Sequence, residues 1–141
     1  MTAACREACC SATPRFTVAE LFERGFRRNR ATPFNIEGGA INDAEGNTAR
    51  FSLALNQSKL SELRFRVSSC TTLIAYCEAL AELLHGRDAG LAAQFTPREL
   101  VAALPGVPAL KQSRAVLAVA ALRAALVAAQ TNSTAHQGGV T

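Results

Sequence analysis

The segment LSELRFRVSSCTTLIAYCEALAELLHG, residues 60–86, changes its hydrophobic period halfway along its length. Its first part alternates apolar residues, among them Leu63 and Phe65, with arginines, as in a strand that has one buried face. After Cys70 the apolar residues recur at helical spacing until Gly86, which is typical of a helix end. The segment therefore predicts a strand that leads directly into a helix, with a cysteine at the junction.

The predicted helix has a polar start and an apolar face. Ser69 precedes its first turn and is the predicted N-cap. Residues at helical spacing form the predicted apolar stripe: Leu73, Tyr76, Cys77, Leu80 and Leu84. This helix is expected to lie against the sheet.

The residues before the strand predict the rest of a small sheet. ARFSLAL, residues 49–55, alternates Phe51, Leu53 and Leu55 with smaller or polar residues, and the short connection 56–59 predicts an antiparallel hairpin. Ala40-Ile41, between two glycine-containing turns, is a third short strand. Three antiparallel strands are expected.

Three further helices are predicted around this sheet. Capping-box patterns start two of them, Thr17 with Glu20 and Thr96 with Glu99. The last helix is expected from Gln112 to Ala129. The order of elements predicts an α+β fold, in which a small antiparallel three-stranded sheet packs against helices.

The chain of 141 residues is expected to hold one domain. We predict a flexible leader over residues 1–14, a domain over 15–130 and a disordered tail over 131–141. The longest apolar run, Ala115 to Gln130, contains Arg123 and is interpreted as a buried helix, so no membrane span is expected. Without a secretion signal, the predicted location is the cytoplasm.

Five cysteines raise the question of metal or thiol chemistry. Cys70 at a helix start suits a ligand or a nucleophile, but cysteine is also a common small core residue. His85 would lie roughly 22 Å along the same helix, too far to activate Cys70, so a cysteine hydrolase is not expected. The leader cysteines could form a mobile clip for a soft metal: Cys5, Cys9 and Cys10.

The net charge of +4 is concentrated near the N-terminus. The excess comes from arginines in the first thirty residues. The only aromatic residues among them, Phe22 and Phe26, have core spacing, so nucleic-acid binding is not expected. A solvated helix face or a protein-binding surface remain the two interpretations. The candidate partner-binding residues on this helix are Arg24, Arg27, Arg28 and Arg30.

Three segments with fitting spacing resemble the IscU and NifU N-terminal family of iron-sulfur cluster scaffold proteins. Residues 60–86 are similar to that family's aromatic and basic strand, its junction cysteine and its late glutamate, at Phe65, Cys70 and Glu82. Two further motifs of the family are similar to the segments VPALKQSRAVLAVAALRAAL and AEGNTARFSLAL. These segments retain six residues of the family's motifs: Ala44, Gly46, Pro108, Lys111, Leu117 and Ala118. The resemblance implies the same α+β fold.

The family's cluster site is only partly present. The resemblance implies three cysteine ligands helped by an aspartate and a histidine, and of these only Cys70 is retained. The other cysteine positions carry Glu45 and Arg114, the aspartate position Asn47 and the histidine position Ser113. Because Arg114 would place a permanent cation beside iron, no cofactor is expected. We predict instead an ion pair between Arg114 and Glu45.

Two functions from different classes follow from the resemblance. The first is a non-catalytic binding or structural accessory subunit of a larger complex, or a modulator of cluster biogenesis. The alternative is a working scaffold or carrier that holds an iron-sulfur cluster, Fe or Zn through Cys70, with leader cysteines or a second subunit. An enzyme that uses Cys70 for persulfide or thiol exchange is the least favoured. The implied partners are a cysteine desulfurase and, at Pro108 and Lys111, a chaperone.

Overall fold

The structure, a computed structural model, describes residues 16–140, with side chains as far as residue 131. The predicted leader and its Cys5, Cys9 and Cys10 lie outside the described residues. The described elements are α1 (Val18–Asn29), β1 (Ile36–Glu37), β2 (Ile41–Asn42), β3 (Thr48–Asn56), β4 (Lys59–Val67), α2 (Thr71–Leu84), α3 (Ala89–Ala92), α4 (Pro97–Ala103), a 3-10 turn (Ala109–Lys111) and α5 (Arg114–Val140).

The sheet is antiparallel, as predicted, but it has four strands in place of three. The predicted strand at Ala40-Ile41 is displaced by one residue to β2, and β1 was missed. Both short strands pair with β3 on the edge opposite β4, one after the other. They are separate because the chain leaves the sheet after Gly38, whose N–H still donates to the Phe51 carbonyl at 2.9 Å.

The β3–β4 hairpin fixes the register of the sheet. Gln57 and Ser58 both have positive φ, 54° and 70°, the conformation that a tight two-residue hairpin turn requires. Phe51 lies opposite Phe65 on the buried face, with ring centroids 5.7 Å apart. A register shift between Ala54 and Leu55 turns Leu55 outward to 37% exposure, so the prediction that it belongs to the buried face was wrong.

Helix α2 lies at the centre of the core. Its predicted apolar stripe is fully buried, and so are Ile74, Ala75 and Glu78 on its other sides. The N-cap is Cys70 and not Ser69, because the first helical hydrogen bond runs from the Ile74 N–H to the Cys70 carbonyl. The cysteine therefore occupies the capping position itself.

Helix α1 covers the open edge of β4. The Arg28 guanidinium donates to the Leu63 carbonyl at 2.9 Å, and the Asn29 side chain hydrogen-bonds both the N–H and the carbonyl of Val67. Backbone N–H and carbonyl groups on the open edge of β4 are thereby hydrogen-bonded by side chains of a helix. The predicted capping boxes at Thr17 and Thr96 are both present.

Helix α5 packs against the sheet and α2. It ends at Val140 and not at Ala129 as predicted, because no proline or glycine interrupts the chain before Gly138. By length and composition alone, residues 109–131 could cross a membrane, with a mean hydropathy of 1.4 in the most apolar window. More than half of that window, 56%, is buried within the domain, as in a core helix.

Candidate functional site

Three positions that are far apart in the sequence converge at one end of the sheet. Glu45 lies in the loop after β2, Cys70 caps α2, and Arg114 opens α5. These are the three positions at which the family resemblance implies cysteine ligands. The fold therefore brings Glu45, Cys70 and Arg114 together.

The predicted ion pair between Arg114 and Glu45 is present. Arg114 Nη1 donates to Glu45 Oε1 at 2.5 Å and to Ser113 Oγ at 3.2 Å. The arginine side chain is only 8% exposed, whereas the glutamate is 62% exposed. A hydrogen bond with the Cys70 thiol raises the pKa of Arg114, burial opposes this, and the Glu45 carboxylate adds to the increase. The guanidinium thus joins the loop to the start of α5 and lies beside Cys70 at the start of α2.

The loop that carries Glu45 is held by its own hydrogen bonds. Asp43 Oδ1 accepts from the N–H groups of Glu45 and Asn47 at 2.9 and 2.8 Å, and its Oδ2 accepts from Asn47 Nδ2 at 2.9 Å. The hydrogen bond from the Asn47 side chain is the main reason that the pKa of Asp43 is lowered. Gly46 supplies a positive φ of 87° at the turn. Asp43 was not predicted as a site residue, although the DAEGN sequence is typical of such a turn.

The two described cysteines have different surroundings. Cys70 is half-buried with a free thiol, and that thiol makes no capping hydrogen bond to the helix. Cys77 is fully buried on α2, where burial raises the pKa of its thiol well above the ordinary value. The prediction of Cys77 as a core residue agrees with this position. His85 lies at the opposite end of α2 from Cys70.

A metal would find few ligands at this site. Within the described part of the chain, no three His, Cys, Asp or Glu side chains are grouped so that they could hold a metal ion. Cys70 offers one soft ligand and Glu45 one hard ligand, and the Arg114 cation lies beside both. This donor set does not fit an iron-sulfur cluster, which normally takes four thiolates or histidines.

An apolar groove adjoins the ion pair. It encloses about 430 Å³ between the loop after β2 and the first turns of α5. Ile41, Ala44 and Glu45 line one side, and Val116 and Ala120 line the other. The groove opens directly beside the site.

The predicted arginine surface on α1 is only partly available. Arg28 was predicted to be exposed, but its guanidinium pairs with the Glu78 carboxylate at 2.6 Å. Glu78 is buried, and a buried carboxylate needs a partner of opposite charge. Arg24 pairs with Glu82 at 3.3 Å, and the Arg30 guanidinium lies 5.4 Å from the Phe26 ring centroid. Arg27 is exposed and, among the described side chains, has no carboxylate partner within 4.0 Å.

Phe26 also differs from the prediction. It is 45% exposed and not a core residue, because the buried positions of α1 are Leu21 and the small Gly25. A Cβ atom at Gly25 would come within 2.7 Å of Ile74 Cγ2, so this glycine permits α1 to approach α2 closely. The aromatic spacing alone did not identify this contact.

The proline-lysine segment before α5 is exposed. Pro108 and Lys111, the predicted chaperone-binding residues, are both at the surface. Leu110 between them is 91% exposed, which the sequence interpretation missed. An exposed leucine in a 3-10 turn is available to a partner protein.

These features define a small α+β domain with a cysteine at a strand-to-helix junction and an arginine–glutamate ion pair beside it. The sequence matches the family described as NifU-like N terminal domain over residues 19–135. The chain belongs to this family, which is one of iron-sulfur cluster assembly scaffolds.

Two curated relatives and one solved structure are similar to the chain. It is 40% identical over 90 residues to the bifunctional protein NifU/MnmA of Rubrobacter xylanophilus, covering 62% of this chain and 18% of that protein. It is 35% identical over 83 residues to the nitrogen fixation protein NifU of Cereibacter sphaeroides, covering 59% of this chain and 34% of that protein. The chain thus spans about a third or less of these relatives. A crystal structure of a hypothetical protein aligns with a TM-score of 0.48 and 16% identity, covering 76% of this chain and 97% of that one.

Proposed function

We propose that the protein is a non-catalytic accessory member of the scaffold family, which binds partner proteins and does not hold an iron-sulfur cluster. The observation that carries this proposal is the ion pair between Arg114 and Glu45 at two of the three implied ligand positions. Such a protein acts as a structural subunit of a larger complex or as a modulator of cluster biogenesis.

The chemistry of the ion pair favours this function. A bound metal would cross-link the loop after β2 to the starts of α2 and α5. Arg114 connects α5 to that loop through its hydrogen bond with Glu45, and it lies beside Cys70 at the start of α2. Because arginine stays protonated at any physiological pH, its charge repels a metal cation permanently.

Cys70 supports an alternative, a scaffold or carrier that holds a cluster, Fe or Zn. Its thiol is not in a disulfide and is half-buried, and it lies at the N-terminus of α2. The missing ligands would come from Cys5, Cys9 and Cys10 or from a second subunit. Glu45, with most of its side chain exposed, would then have to release Arg114.

Partner proteins are proposed on two surfaces. The exposed residues of α1, above all Arg27, suit a cysteine desulfurase, and Pro108, Leu110 and Lys111 suit a chaperone. One relative is named as a bifunctional protein NifU/MnmA, so a NifU-like part shares a chain with a second activity there. The cytoplasm remains the proposed location of this chain.

One experiment tests the proposal. The protein and its Cys70→Ser variant are purified anaerobically and subjected to cluster reconstitution, and iron, zinc, sulfide and the visible absorption spectrum are measured. We expect substoichiometric metal and the same spectrum for both proteins. A stoichiometric cluster that is lost in Cys70→Ser would overturn the proposal and favour the scaffold. Zinc that depends on Cys70 would favour the carrier.

A further inference from the structure

The sheet face that points away from the helices carries three arginines on neighbouring strands. Arg50 belongs to β3, and Arg64 and Arg66 belong to β4; we call them the outer-sheet arginine patch. They alternate with Phe51 and Phe65, which are buried on the other face. The patch is therefore built on the most extensively paired strands of the sheet.

Two of these arginines lie directly opposite each other. Arg50 is the register partner of Arg66 in the β3–β4 ladder. Like charges in directly opposed positions destabilise a sheet. The fold thus tolerates a repulsive pair of exposed side chains, which contribute nothing to the core.

Carboxylates neutralise only part of this charge. Arg50 has Glu37 at 3.6 Å, and Arg64 has Glu62 at 3.4 Å. Arg66 is exposed and has no carboxylate within 4.0 Å among the described side chains. Arg66, near the end of β4, is therefore an exposed positive charge without a carboxylate partner among the described side chains.

The end of α1 adds a further positive charge next to the patch. The Asn29 side chain is hydrogen-bonded to Val67, the neighbour of Arg66. Ala31 borders the same shallow depression as Arg50 and Arg66. Arg30 lies between these two residues, is exposed, and has no carboxylate within 4.0 Å among the described residues.

We infer that the outer-sheet arginine patch, together with Arg30, docks an acidic segment of a partner protein. Guanidinium groups bind carboxylates with paired, directional hydrogen bonds, so charge complementarity favours a chain rich in Glu and Asp. A nucleic acid is less suitable, because base stacking needs free aromatic rings. The two nearby rings are already covered, Phe34 by Arg64 at 4.1 Å and Phe26 by Arg30 at 5.4 Å.

This inference deepens the proposed function and rests on it only in requiring a protein partner. The patch lies on the face opposite the helices, and it shares no residue with the ion-paired site near Cys70. Metal content therefore tests the proposed function, and binding of an acidic peptide tests the patch. Either one can fail while the other holds.

The test uses a fluorescently labelled hexaglutamate peptide and a single-stranded oligonucleotide of the same charge, titrated with the full chain at low salt. We expect saturable peptide binding that weakens as ionic strength rises and weakens at least about fivefold in Arg66→Gln. Arg98→Gln is the matched control, because Arg98 is exposed on α4 and has no carboxylate within 4.0 Å among the described residues. It removes the same charge at a different place.

Thermal unfolding provides a second measurement. Arg66→Gln relieves the repulsion with Arg50, so its melting temperature should rise by about 1–2 °C, whereas Arg98→Gln should leave it unchanged. Equal peptide affinity in Arg66→Gln and Arg98→Gln would overturn the inference, as would no binding by the unmodified chain. Tighter binding of the oligonucleotide than of the peptide would also overturn it. A lower melting temperature in Arg66→Gln would contradict the repulsive pair on which it rests.

Discussion

Arg114 on α5 donates a hydrogen bond to Glu45 in the loop after β2, across the junction at which Cys70 caps α2. The arginine is buried and the glutamate is mostly exposed. Loss of the glutamate would leave a buried cation with only Ser113 and Cys70 as partners. The pair is therefore a structural link between α5 and the loop after β2.

We predict that Arg114→Met lowers the free energy of unfolding by about 1–2 kcal/mol, between the values for exposed and buried pairs. Glu45→Gln should lower it by a similar amount, and the double variant by less than the sum of the two. Urea denaturation of all four proteins gives the coupling energy. Additive losses would mean that the two side chains do not stabilise each other in solution.

Replacing the pair by thiols should restore a metal site. We predict that Glu45→Cys/Arg114→Cys, with the native Cys70, binds about one Zn²⁺ per chain, because three thiolates would then meet where a cation stood. Metal analysis and a zinc-dependent rise in melting temperature provide the measurements. Glu45→Cys/Arg123→Cys is the control with the same number of thiols, since Arg123 is exposed and donates to the Phe95 carbonyl on another part of α5. Equal zinc in both variants would contradict the proposed convergence.

The pair between Arg28 and Glu78 predicts a pH-dependent stability. Burial raises the pKa of Glu78, the Arg28 hydrogen bond opposes this, and Glu82 adds to the increase. Because the folded state binds this proton more tightly than the unfolded state, stability falls as pH rises from the ordinary carboxyl pKa through the raised one. Removing Arg28 should raise the pKa of Glu78 further and extend this window upward.

We therefore expect Arg28→Met to lower the free energy of unfolding by about 3 kcal/mol at pH 8 and by less at pH 5.5, where Glu78 can take up a proton. Arg24→Met is the control on the same helix, because its pair with Glu82 is exposed, and should change stability by less than about 0.5 kcal/mol. Denaturant unfolding at both pH values measures the difference. The same loss at both would argue against an ionised Glu78 in the core.

Gly38 permits the close approach of the chain after β1 to α5. A Cβ atom there would collide with the backbone of Ala124 and Ala125, whereas a Cβ atom at Gly39 would have no atom within 4 Å. We predict that Gly38→Ala lowers the free energy of unfolding by about 1–3 kcal/mol and that Gly39→Ala has little effect. Thermal or urea unfolding of the two variants is the measurement. Similar stabilities would show that the contact relaxes easily.

Cys70 occupies a capping position without making a capping hydrogen bond. We predict that Cys70→Ser raises the free energy of unfolding by about 0.5–1 kcal/mol, since a serine hydroxyl can accept from the free amides of the first turn of α2. Ser69→Ala should leave stability unchanged, because Ser69 is exposed and is not the cap. If Cys70→Ser were less stable than the unmodified protein, the thiol would have a structural role beyond a weak contact with Arg114.

Local pattern was sufficient for most of the elements. The strand period around Phe65, the helical period after Cys70 and the capping boxes at Thr17 and Thr96 all predicted elements that the structure contains. These predictions are confirmed because each depends only on residues that are close together in the sequence. The position of the N-cap was wrong by one residue, since serine is a better cap than cysteine and the chain places the cysteine there nonetheless.

The pairing of Arg114 with Glu45 was also predicted, but only because the family resemblance placed both residues at positions implied to bind one cluster. Periodicity and composition contain no such information. The internal pairing of Arg28 was not predicted, since its carboxylate partner comes from the buried side of another helix.

The sequence by itself determined most of the strands and helices and the β3–β4 hairpin. The tertiary structure alone decided that β1 and β2 share an edge of β3, that Gly38 serves a close contact with α5, and that Arg50 opposes Arg66. The physical reason is the range over which the interactions act along the chain. Backbone propensity, capping and alternation act between neighbours in sequence, whereas edge pairing, close packing and charge placement depend on distances that only the folded chain sets.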